Sequence, residues 1–499
     1  MASSIVILGW TSDDKVPGAY RETVFGTGRL SVGAYPVKLL ITGTKLATGS
    51  AVVDQDIVPI YSTADANTKL GAKSTAKRQA NGALNIPGVN LYAAPPAVAG
   101  GAVAATASVV IGGSWTTSGA IKFRIGGDYF EVPVGATQVA TDAGTTFRTE
   151  CNALPDGLVT ASGSTATSTI TANNLGTQGN TVLVYWDLSE APVGLTVAVT
   201  GGTALHDRLV PLSGGTGTES LANVIALLKA DVYDYIAVAQ VDATNVGLVE
   251  AHMGSEAGPT ISYLEHAIVA NTGTLVAASS ISQTTLNDYR SCVLWYENSE
   301  THPSELAASV GAIRAVTEPS SPNFNYDDYP VPGAIPQVYA ADKALHATLK
   351  SALNSGLTPL TEKNGVVTIV RGIVSHCLNG SSPDYRCLDW GDAIVPDRIS
   401  KELGAEWVGI FKPANPYVGP DAVGSEADPP EGVGTPGRWK SSVYGILKES
   451  ERANWLQDVD ANLPDVEYDN DRAALVCAVP VVVRKQQHAI GISVRQQAA

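Results

Sequence analysis

Charged residues are scarce in this sequence. Asp, Glu, Lys and Arg make up 16% of its 499 residues, and the basic ones are scarcer: 32 Lys+Arg against 48 Asp+Glu, a net charge of −16. A surface of that sign repels phosphate and argues against nucleic acid as a direct partner. Cysteine is also scarce. Cys151, Cys292, Cys377, Cys387 and Cys477 are odd in number and form no short-spaced pair. That is a pattern of buried thiols in a reducing cytoplasm, not of a secreted disulfide framework. Long apolar runs are missing. The uncharged stretch 93–113 is rich in Ala and is broken by Pro95-Pro96 and Gly100-Gly101, so no membrane insertion is expected. Met1-Ala2-Ser3-Ser4 has none of the basic residues that open a signal peptide. Synthesis and assembly in the cytosol are expected.

Apolar residues, by contrast, reach 44%, enough to fill real cores and too many for an intrinsically disordered chain. The length exceeds one ordinary core and predicts roughly two to four domains. Both ends read as extended. Ile5, Val6, Ile7 and Leu8 form a short β-prone run, followed by polar residues from Thr11 to Asp14. Near the other end, 473–483 is apolar but interrupted by Pro480, and Ile490, Ile492 and Val494 then alternate with smaller or polar residues. Alternation of period two predicts a strand with one face to bury, and a terminal strand needs a sheet edge to join.

Between 101 and 215 the composition shifts to Thr, Gly, Ala, Ser and Val. Ile121, Phe123 and Ile125 alternate up to Gly126-Gly127, and Phe130, Val132 and Val134 alternate after it, a hairpin signal. Further strands are expected over 180–187 and 195–200. Beyond Gly215 helices and strands alternate. Thr216 to Glu219 fits a capping box, with Leu221, Val224, Ile225 and Leu228 on one helical face behind it. Strands are expected at 235–238, 261–269, 292–296 and 365–373, and helices at 303–316 and 388–403. Thr435-Pro436 opens another helix, with Trp439, Val443, Ile446 and Leu447 as its apolar face. Alternation of this kind indicates an α/β layered structure.

Chemistry is sought and mostly not found. Gly432-Val433-Gly434-Thr435-Pro436-Gly437 has the letters of a dinucleotide fingerprint, but a Pro- and acid-rich loop precedes it instead of a strand, so a helix start is the better reading. Gly214 to Glu219 looks like a phosphate loop without the lysine that would hold a phosphate. His376, Cys377, Cys387 and Asp389 lack a familiar zinc spacing. The other histidines are dispersed and have no nucleophile motif beside them. No catalytic residues, cofactor or metal are assigned, and the chain is not expected to be an enzyme.

In order along nearly the whole chain, the sequence resembles the contractile tail sheath proteins of bacteriophages, specifically the Mu-like group. The resemblance is carried by Val16-Pro17-Gly18-Ala19-Tyr20, by 36–43 (PVKLLITG) and by Leu46-Ala47-Thr48-Gly49. It continues through Ile125-Gly126-Gly127, 176–180 (GTQGN) and Tyr233-Asp234-Tyr235-Ile236. Its strongest stretch is Gly356-Leu357-Thr358-Pro359-Leu360 followed by 365–371 (GVVTIVR). The loop over 413–434 departs from the pattern by its length, and the segment after Leu388 by its irregularity.

The resemblance implies an α/β (α+β) sheath core of mixed sheet and helices, with an inserted, mostly β, protruding domain and extended terminal arms. The expected division is an N-terminal arm over 1–20, core over 21–100, insert over 101–215, core over 216–484 and a C-terminal arm strand over 485–499. It further implies self-assembly into stacked hexameric rings around a tail tube protein, with baseplate and tail terminator proteins as further partners. The sheath would contract to drive the tube through the host envelope as part of the virion, without nucleotide or other cofactor. The arm residues Ile5, Val6, Ile7, Leu8, Ile490, Ile492 and Val494 would add strands to neighbouring subunits. The expected acceptor is the sheet edge carrying Val367, Ile369, Arg371 and Ile373, and the polar linkers 11–15 and 484–487 would be the hinges. Added strands bring main-chain bonds and pocketed side chains. Each bond nets about 0.5–1.5 kcal/mol and each buried Ile or Val about 1.5–3 kcal/mol, against ordering costs of about 1–2 kcal/mol per residue. Such a joint is modest singly and strong in a lattice. Other readings are the sheath of a headless phage-derived injection particle, a cytosolic α/β enzyme with a β insertion, or a β-rich adhesin.

Overall fold

The structure, a computed structural model, describes residues 37–228, 231–256, 264–422, 429–471 and 473–488. Its centre is an eight-stranded sheet. From one edge to the other the strands are Val366–Ile369, Leu357–Lys363, Ser291–Trp295, His266–Asn271, Tyr235–Val238, Lys38–Ile41, Asn90–Ala93 and Val58–Ile60. The six inner strands run parallel, and each edge strand is antiparallel to its neighbour. The fold is therefore mixed α/β, as the alternation of helical and strand patterns predicts.

Inner parallel strands are covered on both faces and read as continuous apolar runs. Here the period of two sorts each run between two cores. Leu39, Ile41, Ala237, Ile268 and Leu294 face one cluster. Leu40, Ile236, Val238, Val269 and Val293 face the other. The first cluster is closed by the helices Thr63–Leu70, Thr75–Leu84 and Pro303–Thr317, the second by Ala222–Leu228 and Ala243–Glu256. Helix Pro303–Thr317 starts on His302, whose Nδ1 accepts from the Ser304 amide at 3.3 Å, with Pro303 in its first turn. Small residues let it lie against Thr75–Leu84. A Cβ at Gly82 would stand 2.8 Å from the Glu305 carbonyl oxygen and 2.9 Å from Ser309 Oγ.

Residues 106–211 form two antiparallel four-stranded sheets with a core of their own. One has the order Leu195–Thr200, Thr106–Gly113, Thr167–Ala172, Val159–Ser162. The other runs Leu209–Pro211, Leu183–Asp187, Gly119–Ile125, Asp128–Val134. The expected hairpin is present, with Phe123 opposite Phe130 across the Gly126-Gly127 turn. Helix Ala140–Ala153 adds Phe147, so three of the chain's six phenylalanines meet with ring centroids 4.8–5.6 Å apart. The two chain crossings into this segment pair with each other, Val103 with Thr216 and Thr106 with Ser213.

Some local expectations fail for visible reasons. The capping box at Thr216 to Glu219 does not form. Thr216 is held in the crossing ladder, Glu219 turns inward to accept from Gln178 at 3.3 Å, and the helix starts only at Ala222. The Leu221 amide is satisfied by Asn245 Oδ1 at 2.8 Å. The strand expected over 365–373 ends at Ile369, and the chain then turns so that Gly372 lies against the ring of Trp390.

Candidate functional site

The assembly surface expected from sequence lies at the Val366–Ile369 edge of the large sheet. This strand is the second arm of a hairpin that turns on Asn364 (φ 54°) and Gly365 (φ 80°), with Lys363 opposite Val366. Two successive positive φ values define a two-residue type I′ turn, for which Asn-Gly is the preferred pair. That dipeptide was a readable hairpin signal, and the strand-only reading of 365–373 missed it.

The outer side of the edge is not bare. The Val331 amide donates to the Val367 carbonyl at 2.8 Å, Ile369 donates to Tyr329 at 2.9 Å, and Asp328 donates to Ile369 at 2.8 Å. Pro330 thus sits opposite Thr368. Further on, Arg371 holds Asp389 through two bonds of 2.7 and 3.0 Å. Trp390 donates its amide to Gly372 at 3.1 Å and its indole N–H to the Ile373 carbonyl at 2.7 Å. Val367 and Ile369 therefore lie on the edge strand with 328–331 of the same chain along it, whereas Arg371 and Ile373 follow beyond its end, beside 388–390. Ile5, Val6, Ile7, Leu8, Ile490, Ile492 and Val494 lie outside the described residues, as does the linker 11–15.

The chain approaches its C-terminal end on a separate small core. Helix Pro436–Arg452 packs Trp439, Val443 and Leu447 against Val395, Ile399 and Phe411. The apolar run 473–483 divides around Pro480 into Ala474–Ala478, paired with Asp465–Asp469, and Val482–Val483, paired with Leu456–Gln457. The linker 484–487, expected to be a hinge, is bonded to the chain's own core. Gln486 Nε2 donates to the Asn323 and Phe324 carbonyls at 3.2 and 2.9 Å.

The resemblance to nucleotide loops has a physical resolution. Thr435 accepts from the Arg438 amide and Pro436 opens the helix, while the Gly437 amide donates to both Asp421 oxygens at 2.9 and 3.0 Å. A carboxylate of the chain itself thus occupies the anion-favouring end of this helix. His376 is stacked on Tyr289 at 3.9 Å and faces Asp384 at 3.4 Å, while Asp389 belongs to Arg371. Among the described residues no group of three or more His, Cys, Asp or Glu is placed to hold a metal.

The remaining titratable groups point to structure. Burial pushes the thiols of Cys292 and Cys387 up to about 11 and about 12, so both stay protonated and unreactive at neutral pH. His266 is driven down to about 4 by burial, 3.2 Å from Asp397. Burial opposes ionisation of Asp397 too, yet the bonds from His266 and Arg290 hold it at about 2. No helix among the described residues is long and apolar enough to cross a membrane.

No family model matches the chain, and no curated protein does. Solved structures do. The sheath tail protein of Desulfitobacterium hafniense superposes with a TM-score of 0.50 at 12% identity, over 93% of this chain and 96% of that one. The chain has the fold of a tail sheath protein. A sheath tail protein of Listeria innocua gives 0.45 at 12% identity, over 90% of this chain and 92% of its own. The helical sheath of the anti-feeding prophage in its contracted state gives 0.46 at 10% identity, over 97% and 100%. The sheath fold here consists of the doubly covered sheet, the β-rich segment between its strands Asn90–Ala93 and Tyr235–Val238, and the small C-terminal core.

Proposed function

We propose that this chain is the structural subunit of a contractile tail sheath, of the Mu-like kind. It polymerises as stacked hexameric rings around a tail tube and contracts to drive the tube through the host envelope for genome delivery. The observation that carries the reading is the fold, shared over 93% of this chain with a sheath tail protein. The chemistry of the described residues supports it: thiols kept protonated by burial and a helix start filled by the chain's own carboxylate. It is not an enzyme and takes no cofactor.

In this reading residues 1–20 and 485–499 are arms, and 101–215 is an insert carried on the outside of a core made of 21–100 and 216–484. Ile5 to Leu8, Ile490, Ile492 and Val494 add strands to neighbouring subunits. The edge with Val367, Ile369, Arg371 and Ile373 receives one of them, in the place that 328–331 takes in the single chain. Partners are further copies of itself, the tube, and the baseplate and terminator proteins, in a virion tail assembled in the host cytoplasm.

Negative-stain electron microscopy of the purified chain at high concentration tests this. Hollow striated tubes or stacked rings are expected, and removal of residues 485–499 should abolish them while leaving a soluble monomer. Compact particles only, with and without tube protein, would refute the proposal.

A further inference from the structure

The last described residues run along the core as a strap and make a series of polar contacts with it. The Arg484 carbonyl accepts from Asn323 Nδ2 at 2.6 Å. Lys485 Nζ sits 2.7 Å from both Asp392 oxygens. Besides the two carbonyls, Gln486 Nε2 reaches Asn323 Oδ1 at 3.0 Å. The Gln487 carbonyl accepts from Asn325 Nδ2 at 3.4 Å. His488 sets Nδ1 2.7 Å from Asp327 and Nε2 3.3 Å from Asp389. Asp389 also carries Arg371, so the charged groups of the sheet edge, the helix start and the strap meet in one cluster.

The receiving surface is shaped for the strap. A Cβ on Gly391 would lie 2.4 Å from Asn323 Oδ1 and 3.4 Å from Gln486 Nε2. A larger residue there would displace the Asn323 side chain to which Gln486 is bonded. Asp327 meets His488 through Oδ2, and its other oxygen, Oδ1, is buried without a bond. No apolar side chain lies in 484–488, and polar contacts of this kind exchange readily with water and are screened by salt.

We propose that residues 484–488 are a charge-keyed strap. It fixes the course of the chain as far as His488, and it opens as a unit when its polar contacts are broken. If residues 489–499 are the arm of the preceding section, the strap sets where that arm starts, and its opening lets the arm turn without unfolding the core. The contacts themselves do not depend on that reading.

Trypsin cleavage after Arg484 and Lys485 reads the strap directly, in dilute full-length protein below the concentration at which particles form. The reference is a synthetic peptide of residues 480–499. Cleavage in the full chain should be slower than in the peptide by about tenfold or more, as for any locally closed segment. Asn323→Ala combined with His488→Ala, or 1 M salt on the unmodified chain, should bring it close to the peptide rate with the melting temperature unchanged. A full chain cut as fast as the peptide overturns the strap. A double variant cut as slowly as the unmodified chain does so too. Absence of tubes by microscopy with protection intact would instead overturn the sheath reading and leave the strap standing.

Discussion

Arg78, on the helix Thr75–Leu84, and Asp128, in the β-rich segment, face each other in a two-bond pair of 2.9 and 2.7 Å. The same guanidinium donates to the Gly126 carbonyl at 2.6 Å and lies 3.4 Å from Glu305. Around it, Lys77 pairs with Asp156, Arg124 with Glu300 at 2.8 Å, and Asn174 accepts from the Thr75 amide at 2.8 Å. The contact between the β-rich segment and the large sheet's helices is thus made largely of directional polar bonds. Such bonds fix one orientation and leave an uncompensated charge when broken.

Asp128→Ala should therefore cost about 3 kcal/mol of stability, the usual penalty for removing one partner of a buried pair. Glu131→Ala, on an exposed position of the same strand, should stay within about 0.5 kcal/mol. Urea denaturation followed by tryptophan fluorescence compares the two. Equal midpoints would show that the pair does not hold the segment in place.

The same contact predicts an unusual response to pH. Burial raises Glu300 and Glu305 to about 7, against the pull of Arg124 and Arg78 respectively. Between about pH 4.5 and 7 they hold more protons folded than unfolded, so they stabilise the fold as pH falls through that window. Burial lowers His266 and His302 to about 4, and these act oppositely, losing stability as pH falls from about 6.5 to 4. The unmodified chain should gain stability from pH 7.5 to 6.5 and then change little down to about 4.5. In Glu300→Gln/Glu305→Gln the histidines act unopposed, and stability should fall by roughly 1.4 kcal/mol per histidine per pH unit below 6.5. Melting temperatures from pH 7.5 to 4.5 decide it, and parallel curves for the two proteins would contradict the assignment.

Gly82 offers a test of packing. Its missing Cβ lets helix Thr75–Leu84 touch the Glu305 carbonyl of Pro303–Thr317, and Gly82→Ala brings carbon within 2.8 Å of it. Backbone cannot step aside as a side chain can, so about 1–3 kcal/mol of destabilisation is expected from overpacking. An alanine variant as stable as the original would mean that the two helices are free to separate.

What the sequence made legible follows from periodicity. The alternation of Phe123 and Phe130 about Gly126-Gly127, the inner strands and the Thr435-Pro436 helix start are local signals, and each is present. The helix Thr75–Leu84 carried no such signal, because its buried residues include Lys77, Arg78 and Gln79. These are polar residues placed inside by partners such as Asp128 and Asp156, far along the chain. The contacts of 484–487 were hidden for a related reason. Arg484 to Gln487 is polar and so resembles a free linker, whereas its partners at 323–325 and Asp392 are distant in sequence. Val367 and Ile369, expected as an acceptor, lie on an edge strand, but nothing local announces that 328–331 runs along it.

That flanking segment supplies the sharpest test of the edge. Pro330 and Thr368 are directly opposite, and the bonds Val331 to Val367 and Ile369 to Tyr329 flank them, which makes them a non-hydrogen-bonded antiparallel pair. Cα atoms in such pairs are about 4.5 Å apart, within the range a disulfide spans. Pro330→Cys/Thr368→Cys should close under oxidation and pin the segment to Val366–Ile369. If an incoming strand takes that position, the oxidised protein forms no tubes and a reductant restores them, because the lock blocks the edge without altering the rest of the subunit. Tubes from the fully oxidised protein would place the acceptor elsewhere, and Val367 and Ile369 would then be core residues beneath a permanent flap.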